Sequence, residues 1–174
     1  MKLPQAKFEK AIDKTERRSA LQNPYLDCEA QRIYVSNGHY LVSLPAEDIE
    51  NDTSGTLPVD AIKAARKSKT GNISAVDGYW SRASEPFWCN GSVDAGGISF
   101  PRQEEKFPDV TSILQRPENL SAPVRVNAKY LAIVAAAMAE KNPVVTLEYD
   151  AEGTRFFITP ENGDAVAVVM GLRK

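Results

Sequence analysis

Cations spaced to reach phosphates are the residues of this chain with the plainest chemistry. Projected as a helix at 100° per residue, Lys7, Lys10, Lys14, Arg17 and Arg18 fall within an arc of about 100°. Phe8, Ala11, Ile12 and Thr15 take the adjoining arc, and Glu9, Asp13 and Glu16 the remaining one. Lys63, Arg66 and Lys67 repeat the pattern at i, i+3 and i+4, on one side of a second helix. Crowding cations together while acids are kept elsewhere costs self-repulsion, which a polyanion relieves. A single stripe of this kind reads most simply as a solvated face laced by Glu–Lys pairs. Two segregated stripes favour contacts to backbone phosphates, which carry little sequence information.

Other chemistry is thinly represented. His39 is the only histidine and sits beside a turn, so a Ser–His–Asp arrangement would rest on it alone. Glu104, Glu105 and Asp109 lack the histidines or spaced partners of a metal site and read as a solvated loop. Gly96-Gly97 lacks the pattern of a phosphate loop. Tyr79, Trp80, Phe87 and Trp88 could stack bases or contact a protein, although at strand spacing they read more simply as core. No catalytic residue, metal or cofactor is therefore expected.

The elements that must position the cations follow from periodicity and turn signals. The apolar spacing from Pro4 to about Ala20 predicts a helix, with proline where a first turn accepts it. Tyr25–Cys28, Arg32–Ser36 and Tyr40–Leu44 read as strands, with Asn37-Gly38 the strongest hairpin signal. An acidic loop over 46–55 leads to a second helix, capped by Asp60 and stopped at Thr70-Gly71. Strands are predicted at Ile73–Val76, Tyr79–Ala83, Phe87–Asn90 and Gly97–Pro101. A third helix, capped by Asn127, runs from Ala128 to about Lys141, before strands at Val144–Tyr149, Thr154–Thr159 and Ala165–Leu172.

Three similar openings, at Leu3–Phe8, Leu57–Ile62 and Val126–Leu131, divide the chain into strand–helix–strand modules over 1–50, 56–116 and 117–174. Short links between strands call for antiparallel sheet and an α+β class. The 174 residues suffice for a real core, and 43% hydrophobic with 25% charged content matches an ordinary globular protein. A net charge of −2 excludes a generally basic coat, so any nucleic-acid contact must come from local patterning. Cys28 and Cys89 lie far apart without CxxC spacing, the start lacks a signal-like apolar core, and no apolar run reaches bilayer length, so a cytoplasmic protein is expected.

Three stretches resemble the bacterial sliding clamp, the beta subunit of DNA polymerase III. Arg32–Leu41, with Asn37-Gly38-His39-Tyr40-Leu41 at its turn, is similar to the clamp's strand–turn–strand with its Thr-Asp-Gly-His-Arg-Leu core. Phe107-Pro108-Asp109-Val110 resembles the Phe-Pro-Asp-Tyr element that ends a clamp domain, and Ala167–Lys174 resembles its Val-Val-Met-Pro-Met-Arg-Leu tail. Asn37, Tyr40, Val110 and Gly171 stand where the family has Asp, Arg, Tyr and Pro. The resemblance is to a divergent and shortened clamp, with residues 1–116 as a two-module domain and 117–174 as a half-domain.

It implies helices lining a hole, sheets outside, and duplex DNA held without sequence preference to keep a polymerase or other replication protein attached. It also implies a partner-peptide groove at Met170, Leu172 and Arg173. The third helix, Leu131–Ala139, leaves almost no polar face, and an odd number of modules leaves one without an intramolecular mate, so a homo-oligomer is expected. The alternative is a non-enzymatic interaction protein that binds or imitates the clamp without binding DNA.

Overall fold

The computed structural model describes residues 1–68, 72–76, 80–82, 85–87, 91–102, 106–115, 126–138, 145–150, 154–161 and 164–171. Tyr79, Trp88, Cys89, Glu104, Glu105, Leu172 and Arg173 lie outside the described residues, and Trp80 and Phe87 are described in their backbone only.

Antiparallel pairing around the Asn37-Gly38 turn organises the molecule. Strands β1 (Tyr25–Asp27), β2 (Arg32–Ser36) and β3 (Tyr40–Pro45) form the expected meander, and β4 (Gly55–Thr56) adds to the far side of β1. After α1 (Val59–Lys67) come β5 (Ile73–Val76), the hairpin of β6 (Trp80–Arg82) and β7 (Glu85–Phe87), then β8 (Ser92–Ala95) and β9 (Ile98–Pro101). The chain continues through α2 (Thr111–Leu114) and α3 (Ala128–Met138) to β10 (Val145–Tyr149), β11 (Arg155–Pro160) and β12 (Val166–Met170).

Strands from the first and last thirds of the sequence share one seven-stranded sheet, ordered β10-β11-β12-β3-β2-β1-β4. Its seam is β3 against β12, in the register Tyr40↔Val169 and Val42↔Ala167. Alternation along the strands then covers both faces. Ile33, Val35, Tyr40, Val42 and Leu44 join Phe8, Ala11, Val134 and Ala137 in the main core. Tyr34 and Leu41, on the opposite face, pack with Leu21, Phe107 and Val110 in a second core. The Phe-Pro-Asp-Val element thus acts as a clasp, its Phe107 ring stacked 5.2 Å from Tyr25. The middle third forms its own sheet, β5-β8-β9, with α1 packed across it. Arg102, buried at the end of β9, ties this sheet to β4 by donating to Thr56 O and to both oxygens of Thr53.

Several expectations need correction. The helix over Pro4–Ala20 does not form: two short 3₁₀ turns, Phe8–Ala11 and Ser19–Leu21, flank an irregular stretch. Its polar side chains compete with helical bonding, for Asp13 Oδ1 accepts from Thr15 N at 2.9 Å and Glu16 Oε1 accepts from Arg18 N at 3.2 Å. Ile12 is extended (φ −79°, ψ 122°), so the single 100° arc of Lys7, Lys10, Lys14, Arg17 and Arg18 is lost. The N-cap of α1 is Pro58, with Asp60 inside the first turn, and the side chain of Asn23 accepts from Val59 N at 3.2 Å in the capping role. Strand β7 covers Glu85–Phe87, and of the strand expected at Phe87–Asn90 the residues 88–90 lie outside the described residues; β8 and α2 were not anticipated. Among the described residues the three units do not repeat element for element: the second carries α1 and α2, the third α3, and the first only 3₁₀ turns of four and three residues.

Candidate nucleic-acid interface

The N-terminal segment places its cations by anchoring what lies between them. Phe8 and Ala11 are fully buried, which turns Lys7 and Lys10 outward. The Tyr40 hydroxyl donates to Ala11 O at 2.6 Å, fixing the end of the first 3₁₀ turn. Arg66 fixes its start: Nη2 donates to Ala6 O at 2.6 Å and lies 3.3 Å from Glu9 Oε2, with the guanidinium 5.7 Å from the centre of the Phe8 ring. Arg66 is therefore half-buried between α1 and the segment, while Lys63 and Lys67 stay exposed at i, i+4.

Cations of three elements meet along this segment. Asp60 accepts from Lys63 Nζ at 2.9 Å, which holds its carboxyl below the ordinary value, and the charge of Lys14 adds to the effect from across the gap. On the other side α3 packs against the first 3₁₀ turn. There Asp13, held below the usual carboxylate range chiefly by the Thr15 hydroxyl, also feels the charge of Lys129. Lys129 of α3 thus lies near Asp13, and Lys14 lies near the Asp60–Lys63 pair of α1. The side chains of Lys7, Lys10, Arg17, Lys67 and Lys129 are exposed and make no hydrogen bond or ion pair among the described residues. Arg18 differs, since Nε pairs with Glu16 at 2.8 Å and Nη2 donates to Asn37 O at 3.0 Å. Glu9, Asp13, Glu16 and Asp60 interleave with the cations, so the surface is mixed in sign.

A cleft of about 650 Å³ opens between residues 10–18, the 37–40 turn and the start of α3. The His39 ring lies on its rim, stacked on Tyr130 at 5.4 Å and 11°, with Tyr40 tilted against the same tyrosine at 5.7 Å. Asn37 shapes the turn by accepting from His39 N and Tyr40 N. Met170 reaches the same turn through its amide, which donates to His39 O at 2.9 Å, and its side chain is 38% exposed. It is the one described member of the three residues expected in a peptide groove. Lys129 and Tyr130 were missed as site residues because the apolar run that follows them dominated the reading of the third helix; their signal was the Asn127 cap, whose Oδ1 accepts from Lys129 N at 3.0 Å.

The positions that depart from the clamp pattern have structural duties here. Tyr40 is buried and bonded to Ala11, Val110 belongs to the second core, and Gly171 N donates to Thr154 O at 2.8 Å. Among the described residues no group of three His, Cys, Asp or Glu side chains could hold a metal ion, and no helix is long and apolar enough to cross a membrane.

No protein-family model matches the chain, and no curated protein matches its sequence. Its fold is similar to that of DNA polymerase III subunit beta from Borrelia burgdorferi, solved in complex with a natural product, with a TM-score of 0.63 at 12% sequence identity. The match covers 99% of this chain and 64% of that one, so this chain spans less than two thirds of its structural neighbour. The fold is clamp-like.

Proposed function

We propose that the chain is a non-enzymatic, clamp-like factor that contacts the backbone of duplex DNA without sequence preference and, as a cytoplasmic homo-oligomer, tethers a polymerase or another replication protein to it. The observation that carries this reading is the convergence of exposed cations from the N-terminal segment, α1 and α3 on a clamp-like scaffold. Phosphate contacts fall to Lys7, Lys10, Lys14, Arg17, Lys63 and Lys67. Arg18 and Arg66, also expected from the sequence to contact phosphates, are bonded within the fold to the turn and to the N-terminal segment, so the proposal gives them the smaller part. Met170, with Leu172 and Arg173, is the proposed place for a partner peptide.

The test is duplex binding, followed by fluorescence anisotropy at low salt, of the triple charge reversal K10E, K14E and K67E. Loss of binding is expected; full retention would remove these residues from the interface. Mass in solution, with retention on circular against linear DNA, then reports whether the assembly encircles its substrate, because an encircling protein slides off free ends.

A second reading keeps the fold and drops the DNA: the chain binds or imitates a replication clamp. It is favoured by the acids that interleave with the cations and by the net charge of −2. It calls for capture of replication proteins with no salt-dependent affinity for DNA.

A further inference from the structure

The cleft beside the Asn37-Gly38 turn combines positive charge with an aromatic step that contact with a duplex backbone does not require. His39 is exposed and lies parallel to Tyr130, 5.4 Å between ring centres, so one imidazole face is spent on the tyrosine and a flat group can extend the stack on the other. Tyr40, buried beneath and bonded to Ala11 O, holds Tyr130 from the side and makes the step rigid.

Positive charge is in excess around the open volume. Lys10, Arg17, Arg18 and Lys129 line the cleft against two carboxylates, Asp13 and Glu16. Both acids are already engaged, Asp13 by the amide and hydroxyl of Thr15 and Glu16 by Arg18. The side chains of Lys10, Arg17 and Lys129 make no hydrogen bond or ion pair among the described residues, although Lys129 lies near enough to Asp13 for their charges to interact. A volume of about 650 Å³ falls within the roughly 300–1,000 Å³ of small-ligand sites.

We infer that this cleft binds a nucleotide whose base is unstacked, the base lying on His39 and the phosphate among Lys10, Arg17 and Lys129. Paired bases within a duplex are covered on both faces by their neighbours, so a stacking step selects single-stranded or free nucleotides. The inference deepens the nucleic-acid reading above and rests on it, adding a subsite for single-stranded character such as a strand end or a gap. A strand segment and a free mononucleotide share the chemistry, and the experiment distinguishes them.

The full chain is titrated with three probes: a short oligonucleotide containing 2-aminopurine, 2-aminopurine deoxyribonucleoside monophosphate, and a fluorescein-labelled duplex. H39A removes the exposed ring, and Y130L, checked for folding by its thermal melt, removes the ring beneath it. Fluorescence of the bound 2-aminopurine base should be quenched, and H39A should weaken oligonucleotide binding by roughly fivefold to a hundredfold, the range for loss of one base–aromatic stack. Duplex affinity should stay within about twofold, since stacking plays no part in it. Competition by the monophosphate would identify a free nucleotide as ligand, and oligonucleotide binding without such competition a strand. Unchanged single-strand affinity in both variants would overturn the inference while leaving duplex binding standing. Absence of binding to every probe would overturn it together with the nucleic-acid reading.

Discussion

Arg18 fills the space that a side chain on Gly38 would need. A Cβ built on Gly38 would meet Arg18 Nη2 and lie 2.8 Å from its Cζ, and Gly38 has φ +82°, where side chains are strained. The guanidinium thus closes over the turn, bonded to Asn37 O on one side and Glu16 on the other. G38A should cost about 1–2 kcal/mol from the backbone conformation alone. A further loss follows from displacing the arginine, whose contacts at the exposed Glu16 are individually weak. Urea melts of G38A, R18A and the double variant check this: the cost of G38A should be smaller in the R18A background. Equal costs in both backgrounds would mean that the two residues do not interact.

Tyr40 gives an alkaline signature. Burial, assisted by the negative charge of Asp13, pushes its phenol up to about 12. The folded state therefore holds this proton more tightly than the unfolded state, whose tyrosines ionise near 10. The stability so gained is complete below about pH 10 and is lost as pH rises from there through 12. Burial raises Tyr25 and Tyr34 as well, so ultraviolet titration of phenolate formation should show several late-ionising groups, of which Y40F removes one. Y40F also leaves Ala11 O without its donor and should cost about 1–3 kcal/mol at neutral pH.

How much of this was legible in the residues depends on the range of the interaction that decides each element. Asn37-Gly38 declared its hairpin, and Asn127 its helix, because turn and cap preferences act within a few residues. The N-terminal helix failed for a reason that is also local: Asp13 and Glu16 bond to the backbone two residues on, and the apolar spacing of Phe8, Ala11 and Ile12 fits a 3₁₀ turn as readily. The pairing of β3 with β12 could not be read, because the register Tyr40↔Val169 joins residues far apart in sequence and leaves no periodic trace in either strand. The same holds for the site. The cations were visible as types, while the pinning of Arg66 under Ala6, the loss of Arg18 to Glu16 and the stack of His39 on Tyr130 arise only when three segments meet.

Asp150 is the acid whose loss should be felt most widely. Burial would raise its pKa, but hydrogen bonds from Thr154 and Arg155 outweigh that and hold it below the ordinary value. It accepts from Thr154 N and Oγ1, each at 2.6 Å, and from Arg155 Nε at 3.2 Å. Arg155 in turn donates to Ser112 O and Gln115 O, so the carboxylate helps dock α2 onto β11. The folded pKa lies below the unfolded one, so the stabilisation is present above about pH 4 and fades as pH falls through the folded value. D150A should cost about 2–4 kcal/mol at neutral pH, with D150N keeping part of it. The difference between D150N and the parent, read from urea melts, should shrink at pH values below the folded pKa.

Salt dependence separates the phosphate contacts from the cations that serve the fold. If Lys7, Lys10, Lys14, Arg17, Lys63 and Lys67 each neutralise one phosphate, the logarithm of the duplex binding constant should fall against the logarithm of salt with a slope of roughly −5, about 0.9 per contact. K67A should reduce that slope by about one and weaken binding at every sequence alike. R66A should leave the slope unchanged, because its guanidinium is spent on Ala6 O, Glu9 and the Phe8 ring, and should instead lower the unfolding free energy by about 1–3 kcal/mol. Lys63 is the sensitive intermediate, since it must leave Asp60 to reach a phosphate. D60N frees it, so D60N should tighten binding at low salt. A steep parent slope that K67A and K63A both leave intact would move the phosphate contacts off α1.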